Sequence, residues 1–538
     1  MVTRKTKYKL EFGDFQTPDD LAYQIVQTLK NLNINPQSVI EPTCGQGAFL
    51  LAAAAWFPGS PQFIGVDINR LHLDILQKKI ITQAITYPIK TICASFFEID
   101  WSKLLADLPE PILVLGNPPW VTSAALGKQQ GANLPVKSNF QKRKGLDALT
   151  GKSNFDISEW MLIQHLEWLK RRTGIIAMLC KTAVARKVLV YAWKHDLPIQ
   201  EARLYQIDSS KYFNAAVDAC LFVLKIGDII PSEKVQIRFV GNSHPNDGVG
   251  LRNETQPTNL TYSPSKTCHC FEHLCDQKPS NTIGYYDDRV IADMENYKQL
   301  QHLSGIDKNY IWRSGLKHDC AKIMELVKNG QGYQNGYGVT VSLEDTYLYP
   351  LLKSSDIAND HVLDCRKYLL VTQRYIGEET SYIQNNAPKT WNYLQNNAEA
   401  LFNRKSSVYK KRLPFSIFGV GSYTFSPWKI AISGFYKKLN FKLVRPIGGK
   451  PVVFDDTVYF LPCWFEQEAQ FITELLNSNF ATLFLESMIF WSDKRPITID
   501  VLKRLNIQAL ARELNREDEY IFYVKQRMNE GGNGLDNG

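Results

Sequence analysis

The stretch Val39-Ile-Glu-Pro-Thr-Cys-Gly-Gln-Gly-Ala-Phe49 is the most informative about the fold. Its apolar start, Ser38 to Ile40, predicts a short strand. An acidic residue and a glycine turn follow, and then an apolar helix expected over Ala48 to Trp56. Gly45 and Gly47 permit the backbone conformations of a tight turn and a close approach to a ligand. In such a unit a nucleotide-type cofactor sits over the helix N-terminus. The third glycine of a dinucleotide fingerprint is absent, and Glu41 would repel a pyrophosphate, so the loop suits a cationic ligand better. Taken alone, the segment is also compatible with a plain strand-to-helix turn.

On both sides of this stretch the same alternation continues. Phe63 to Asp67 predicts a strand that places Asp67 at its C-terminal end, where a carboxylate can accept both hydroxyls of a ribose. The alternative for Asp67 is a cap on the next helix, which has helical spacing over Leu71 to Ile81. Thr91 to Cys93, Ile112 to Asn117, Gly174 to Cys180, Ala202 to Ile207 and Ala219 to Ile226 are further strands, with helices over Ile157 to Leu169 and Ala183 to Lys194. Alternating strands and helices predict an α/β fold, a parallel sheet covered on both faces. The last strand follows the sixth so closely that it is open to antiparallel pairing. Residues 1–227 form this unit. A polar run, Gly227 to Ile283, predicts a linker or long loops over 228–283. From Gly284 the pattern changes to short β-rich segments with aromatics and one helix over Glu468 to Glu486, a second, mixed α+β domain over 284–530. The Gly- and Asn-rich tail 531–538 is expected to be disordered.

The segment Leu113-Val-Leu-Gly-Asn-Pro-Pro-Trp120 carries the sharpest chemical signal. A buried strand runs directly into two prolines, which lack amide donors and fix the backbone. That leaves carbonyl groups and the Asn117 side-chain oxygen as rigid acceptors, able to receive both hydrogens of an exocyclic amine. Trp120 offers a flat face on which an extruded base can stack.

These motifs and their order resemble the S-adenosylmethionine-dependent amino-methyltransferases of DNA, adenine N6 type, of the gamma (TaqI-like) class. The resemblance covers residues 14 to 227 motif by motif and the C-terminal half more loosely. It implies a class I methyltransferase fold, Rossmann-like with a mostly parallel seven-stranded sheet, followed by a target-recognition domain. It implies S-adenosylmethionine as cofactor and double-stranded DNA as partner. It further implies action as a monomer on DNA and a separate cognate restriction endonuclease. Alternatives are a methyltransferase acting on RNA or on a protein glutamine, and a combined restriction-modification enzyme. No nuclease constellation of the Pro-Asp…Glu-x-Lys type stands out, and protein-glutamine enzymes are typically much shorter. Residue by residue, the resemblance implies Asn117, Pro118, Pro119 and Trp120 as the catalytic motif, with Trp120 and Phe213 stacking on the flipped base and Tyr212 second to Phe213. It implies a cofactor site of Thr17 (in Phe15-Gln-Thr-Pro18), Glu41, Pro42, Cys44, Gly45, Gly47, Asp67, Ile68, Ser95, Phe96 and Asn117. Ser95 stands where the family usually has Asp, with Asp100 or a backbone group as the substitute for that contact, and Phe96 would cover the adenine ring.

Composition agrees with an ordinary globular chain. The 538 residues are 44% hydrophobic and 22% charged, which excludes collagen, coiled coil and wholesale disorder. No run approaches about 18 apolar residues, as a membrane span needs, and Met1 to Asp14 lacks an apolar signal core. A cytoplasmic, nucleoid-associated protein of a bacterium or archaeon is expected, with its ten cysteines as thiols. The net charge of +8 has a location: Leu401 to Lys450 holds 11 Lys or Arg, ten aromatics and no Asp or Glu. Such a window suits a polyanion, a solvated basic face being the alternative. Candidate DNA contacts are Lys410, Lys411, Arg412, Lys429, Lys437 and Lys438 there, with Lys142, Arg143 and Lys144 in the basic loop after Trp120. Cys268-His-Cys-Phe-Glu-His-Leu-Cys275 invites a zinc reading, but the ligands are crowded and no second pair follows. No metal is expected.

Overall fold

A computed structural model describes residues 16–57, 59, 62–85, 87–121, 156–227, 265–330, 332–363, 365–410 and 412–529. Lys142, Arg143, Lys144, Lys411 and the tail therefore lie outside the described residues. The chain divides into two compact units, Met1–Val290 and Ile291–Gly538.

In the first unit every strand expected from the sequence forms: β1 (Ser38–Glu41), β2 (Gln62–Asp67), β3 (Ile89–Cys93), β4 (Ile112–Gly116), β5 (Gly174–Lys181), β6 (Ile199–Ile207) and β7 (Ala219–Ile226). They lie side by side in the order β3-β2-β1-β4-β5-β7-β6. The first five are parallel, and β7 inserts antiparallel to both β5 and β6. β1 and β4 are buried at every residue, as a sheet covered on both faces requires. Helix Ala48–Trp56 follows β1, and its buried run from Phe49 to Ala54 explains why an almost wholly apolar sequence is stable there. Helix Asp19–Asn31, not anticipated from the sequence, packs against it and buries Leu21, Ala22, Ile25, Val26 and Leu29 in the same core.

The expected linker over 228–283 is corrected where it is described. β8 (Thr267–Phe271) adds to the edge of the sheet parallel to β6, and β9 (Asn281–Tyr286) and β10 (Arg289–Ile291) follow, making ten strands. β8 is held on the edge of β6 by one buried residue on each of its faces, Cys268 and Phe271, with Phe271 stacking on Tyr205 at 4.6 Å between ring centroids. The first unit thus ends near Val290 rather than at 227.

The second unit is mixed α+β. A four-stranded antiparallel sheet has the order β11 (Arg313–Ser314), β20 (Val458–Cys463), β17 (Trp428–Ser433), β18 (Lys442–Val444). A six-stranded sheet has the order β14 (Thr340–Val341), β13 (Gly332–Asn335), β12 (Glu325–Asn329), β16 (Lys367–Leu370), β15 (Leu348–Leu352), β19 (Val453–Phe454). The single helix expected over Glu468 to Glu486 is two, Glu466–Leu476 and Asn479–Glu486, because Ser478 caps the second with its hydroxyl on the Ala481 amide. Among the described residues no helix is long and apolar enough to cross a membrane.

Candidate active site at the carboxyl edge of the sheet

The C-terminal ends of β1, β2 and β4 bring the sequence motifs together. After Glu41 the chain turns through Cys44, whose amide donates to the Val66 carbonyl at 2.8 Å. Gly45 (φ +50°) and Gly47 (φ +80°) then take left-handed conformations. The amide of Gly45 donates to Asp67 Oδ2 at 2.8 Å, and the amide of Asn69 to Asp67 Oδ1 at 2.7 Å. Asp67 is therefore fixed at the strand end by two backbone donors, and its remaining lone pairs can accept more. Gln16, within Phe15-Gln-Thr-Pro18 but given no role there, accepts from the Gln46 amide at 3.1 Å. A Cβ on Gly45 would stand 2.6 Å from Gln16 Oε1, and one on Gly47 would overlap Leu76 Cδ1.

Glu41 is 3% exposed, and burial pushes its carboxyl well above the usual range, although the Leu50 amide donates to it at 3.2 Å and pulls the other way. The negative charge of Asp67 adds to the rise. Cys44 is buried beside both carboxylates, and burial first, then Glu41 and Asp67, push its thiol up. Pro42 is buried and Ile68 is exposed.

Asn117 leaves the end of β4. Its Nδ2 donates to Thr17 Oγ1 at 3.3 Å, and its carbonyl accepts from the Thr43 hydroxyl at 3.5 Å. Three separate motifs, those of Thr17, Thr43 and Asn117, are thus joined, and the amide of Asn117 is oriented. Trp120 is pinned by its indole N–H on the Leu179 carbonyl at 3.4 Å. Its ring meets Phe213 edge-on, with centroids 5.2 Å apart at 66°. The two aromatics expected at the base do come together, but each is only 7% exposed.

Three expected site residues are placed otherwise. Phe96 is 6% exposed and sits among Trp101, Trp160, His165 and Trp168, stacked on Trp168 at 5.6 Å. Its neighbour Phe97 is the half-buried ring of the pair. Ser95 is buried, its hydroxyl accepting the Phe97 amide at 3.2 Å in a tight turn. Asp100 caps helix Trp101–Ala106 through the Lys103 amide.

In the second unit Lys429 is corrected as a DNA contact. It is 1% exposed in β17, its ammonium on the Ser426 carbonyl at 2.6 Å. Burial pushes its pKa down to about 7. Lys410, Arg412, Lys437 and Lys438 are exposed. The remaining basic window is partly neutralised internally: Lys442 pairs with Asp360, Lys450 with Asp345 and Arg445 with Glu466. Of the Cys/His motif, Cys268 is buried in β8 while His273 and Cys275 are in the turn beyond it, Cys275 exposed. Among the described residues no group of three metal-ligating side chains converges.

A sheet in the order β3-β2-β1-β4-β5-β7-β6, with a glycine turn after β1, an acid ending β2 and Asn-Pro-Pro-Trp ending β4, defines an S-adenosylmethionine-dependent methyltransferase of class I. Residues 3–187 match the N-6 DNA Methylase family. The Type II methyltransferase M.NspV of Nostoc sp. (strain ATCC 29411 / PCC 7524) is 43% identical over 513 residues, spanning 95% of this chain and 99% of that protein. The chain belongs to the N6-adenine DNA methyltransferase family. Among solved structures, the Type IIL restriction-modification enzyme MmeI in complex with DNA is similar at 12% identity, over 98% of this chain and 78% of that one, with a TM-score of 0.44. A class I methyltransferase from Listeria monocytogenes is similar at 13% identity, over 48% and 67%, with a TM-score of 0.29.

Proposed function

We propose that the protein methylates N6 of an adenine flipped out of double-stranded DNA, with Asn117 and the Pro118 carbonyl as the acceptors that hold the amine. The observation that carries this reading is the anchored Asn117, its Nδ2 donating to Thr17 and its backbone carbonyl accepting from Thr43, beside the Gly45–Asp67 turn. S-adenosylmethionine supplies an activated methyl on a sulfonium cation. The residues present fit it: Glu41 and Asp67 bring two carboxyl groups to the carboxyl edge of the sheet, at the ends of β1 and β2. A sulfonium beside Glu41 would favour its ionised form against the burial that raises it. Gly45 and Gly47 take the left-handed turn between the two acids, packed by Gln16 and Leu76.

In this reading Asp67 accepts the ribose hydroxyls. Glu41 supplies negative charge toward the cationic methionine part, with Thr17, Pro42, Cys44 and Ile68 shaping the pocket. Phe97, rather than Phe96, offers a ring toward the adenine. The two prolines keep the acceptors rigid, so the amine's hydrogens point to Asn117 and Pro118 while its lone pair faces the methyl. The proton lost after transfer passes to solvent. Base extrusion requires a few kcal/mol. Stacking against the Trp120–Phe213 wall, worth roughly 1–3 kcal/mol per base, offsets much of it. Because both rings are nearly buried, the pair must part to admit the base.

The second unit would read the DNA target, with Lys410, Arg412, Lys437 and Lys438 on phosphates and Lys142, Arg143, Lys144 and Lys411 as further contacts. The likeness to a Type II methyltransferase supports service as the modification partner of a separate restriction endonuclease, the enzyme acting as a monomer. Long-read sequencing of DNA from a methylation-deficient bacterial host expressing the chain tests the reading. N6-methyladenine at one recurring motif is expected. Unmodified DNA from cells that contain the folded protein would overturn it.

A further inference from the structure

Lys181, the last residue of β5, belongs to none of the sequence motifs. Its ammonium donates to the Trp120 carbonyl at 3.2 Å and to Asp156 Oδ2 at 2.6 Å. Asp156 is 7% exposed, and its other oxygen accepts from the Ser158 amide at 3.1 Å and the Ser158 hydroxyl at 2.5 Å. It thereby caps helix Ile157–Leu169. The amide of Ile157 donates to the Val121 carbonyl at 2.9 Å, so the end of the catalytic motif and the start of that helix lie side by side. Trp120 is thus held twice by one strand, its indole by the Leu179 carbonyl and its backbone by Lys181.

We infer that Lys181 is a positioning residue for methyl transfer: by bridging the Trp120 carbonyl and Asp156, it fixes the backbone of Asn-Pro-Pro-Trp against the cofactor turn. The inference rests on the proposed reaction. Its physical basis is the stiffness of the motif. Two consecutive prolines transmit a displacement of Trp120 to the Pro118 carbonyl with little loss, and this carbonyl is one of the two acceptors that aim the amine. An ammonium suits the task, since it has several donors and no acceptor and can satisfy a carbonyl and a carboxylate at once. A methionine of similar length would leave the buried Asp156 carboxylate without its counter-charge.

The test uses the full chain, S-adenosylmethionine and unmethylated genomic DNA. Steady-state methylation, cofactor affinity and thermal unfolding are measured for wild type, Lys181→Met, Lys181→Arg and Asp156→Asn. Misplacing an acceptor by about 1 Å lowers turnover by about 100-fold, so Lys181→Met is expected to lower kcat by about 10- to 100-fold. Cofactor affinity and KM for DNA should be nearly unchanged. Lys181→Arg should recover much of the loss. Asp156→Asn keeps an acceptor for Ser158 and should lower kcat in the same way, providing the readout if Lys181→Met does not fold. Wild-type kcat in both Lys181→Met and Asp156→Asn would overturn the inference. So would a loss confined to cofactor affinity and melting temperature. An inactive wild type would instead count against the underlying reaction.

Discussion

Among single residues Asn117 bears the chemistry, and its replacement separates binding from transfer. Asn117→Ala is expected to lower turnover at least about 100-fold, since one of two rigid acceptors is lost. Cofactor affinity, measured by calorimetry, should persist, because the Gly45–Asp67 turn is untouched. Lys429 gives the opposite test. Buried and pushed down to about 7, it should contribute nothing to DNA binding. Lys429→Met should leave the salt dependence of DNA affinity unchanged, whereas Lys437→Ala should flatten it by roughly one phosphate's worth of slope. The effect of Lys429 on stability has a definite sign. Between pH about 7 and 10 the unfolded chain holds a proton on Lys429 that the folded chain lacks, so wild type should gain stability with rising pH relative to Lys429→Met. Denaturant unfolding at several pH values checks this. Residues such as Gly45, Asp67 and Asn117 were legible because their roles follow from short motifs at strand ends. Phe96 and Lys429 were not, because an aromatic after a strand and a lysine in a basic run look exposed until distant partners such as Trp168 and the β17 neighbours bury them.

Among the elements, the β1-to-helix turn tolerates little change. Gly47 has φ +80° and faces Leu76 at a distance that no Cβ can occupy. Gly47→Ala should destabilise the protein by about 1–3 kcal/mol, the usual range for a forced backbone, and weaken cofactor binding. A thermal melt with and without S-adenosylmethionine reads both. In the second unit, strands β12 and β16 and the start of helix Ser354–Ala358 are joined by a charge cluster on Glu325. Burial alone would raise its carboxyl, but hydrogen bonds from His318, Lys353 and Lys367 outweigh that and hold it at about 2. A depressed carboxyl contributes stability that is present above its unfolded value and lost as pH falls toward 2. Glu325→Gln should therefore be destabilising at pH 7, with the difference from wild type shrinking between about pH 4.5 and 2. The seven strands of the methyltransferase sheet were readable from apolar runs broken by turns. β8 to β10 were not: their flanks are polar, and only two residues of Thr267–Phe271 are buried.

Over the whole molecule, the positive charge is more dispersed than its position in the sequence suggests. The excess does lie between Leu401 and Lys450, which holds 11 basic residues. Folding then places Lys429 in the core and engages Lys442, Arg445 and Lys450 in ion pairs, while Lys405, Lys410, Arg412, Lys437 and Lys438 are exposed at the surface. Composition cannot reveal that division, because the acids that neutralise the window, Asp345, Asp360 and Glu466, lie outside it. Transfer of a methyl group to adenine N6 is tested most directly by incubating the purified chain with unmethylated double-stranded DNA and methyl-labelled S-adenosylmethionine, then analysing the nucleosides by mass spectrometry. Label is expected in N6-methyldeoxyadenosine alone, and nowhere with Asn117→Ala. Label in methylated cytosine, or undiminished transfer by Asn117→Ala, would refute the proposed reaction.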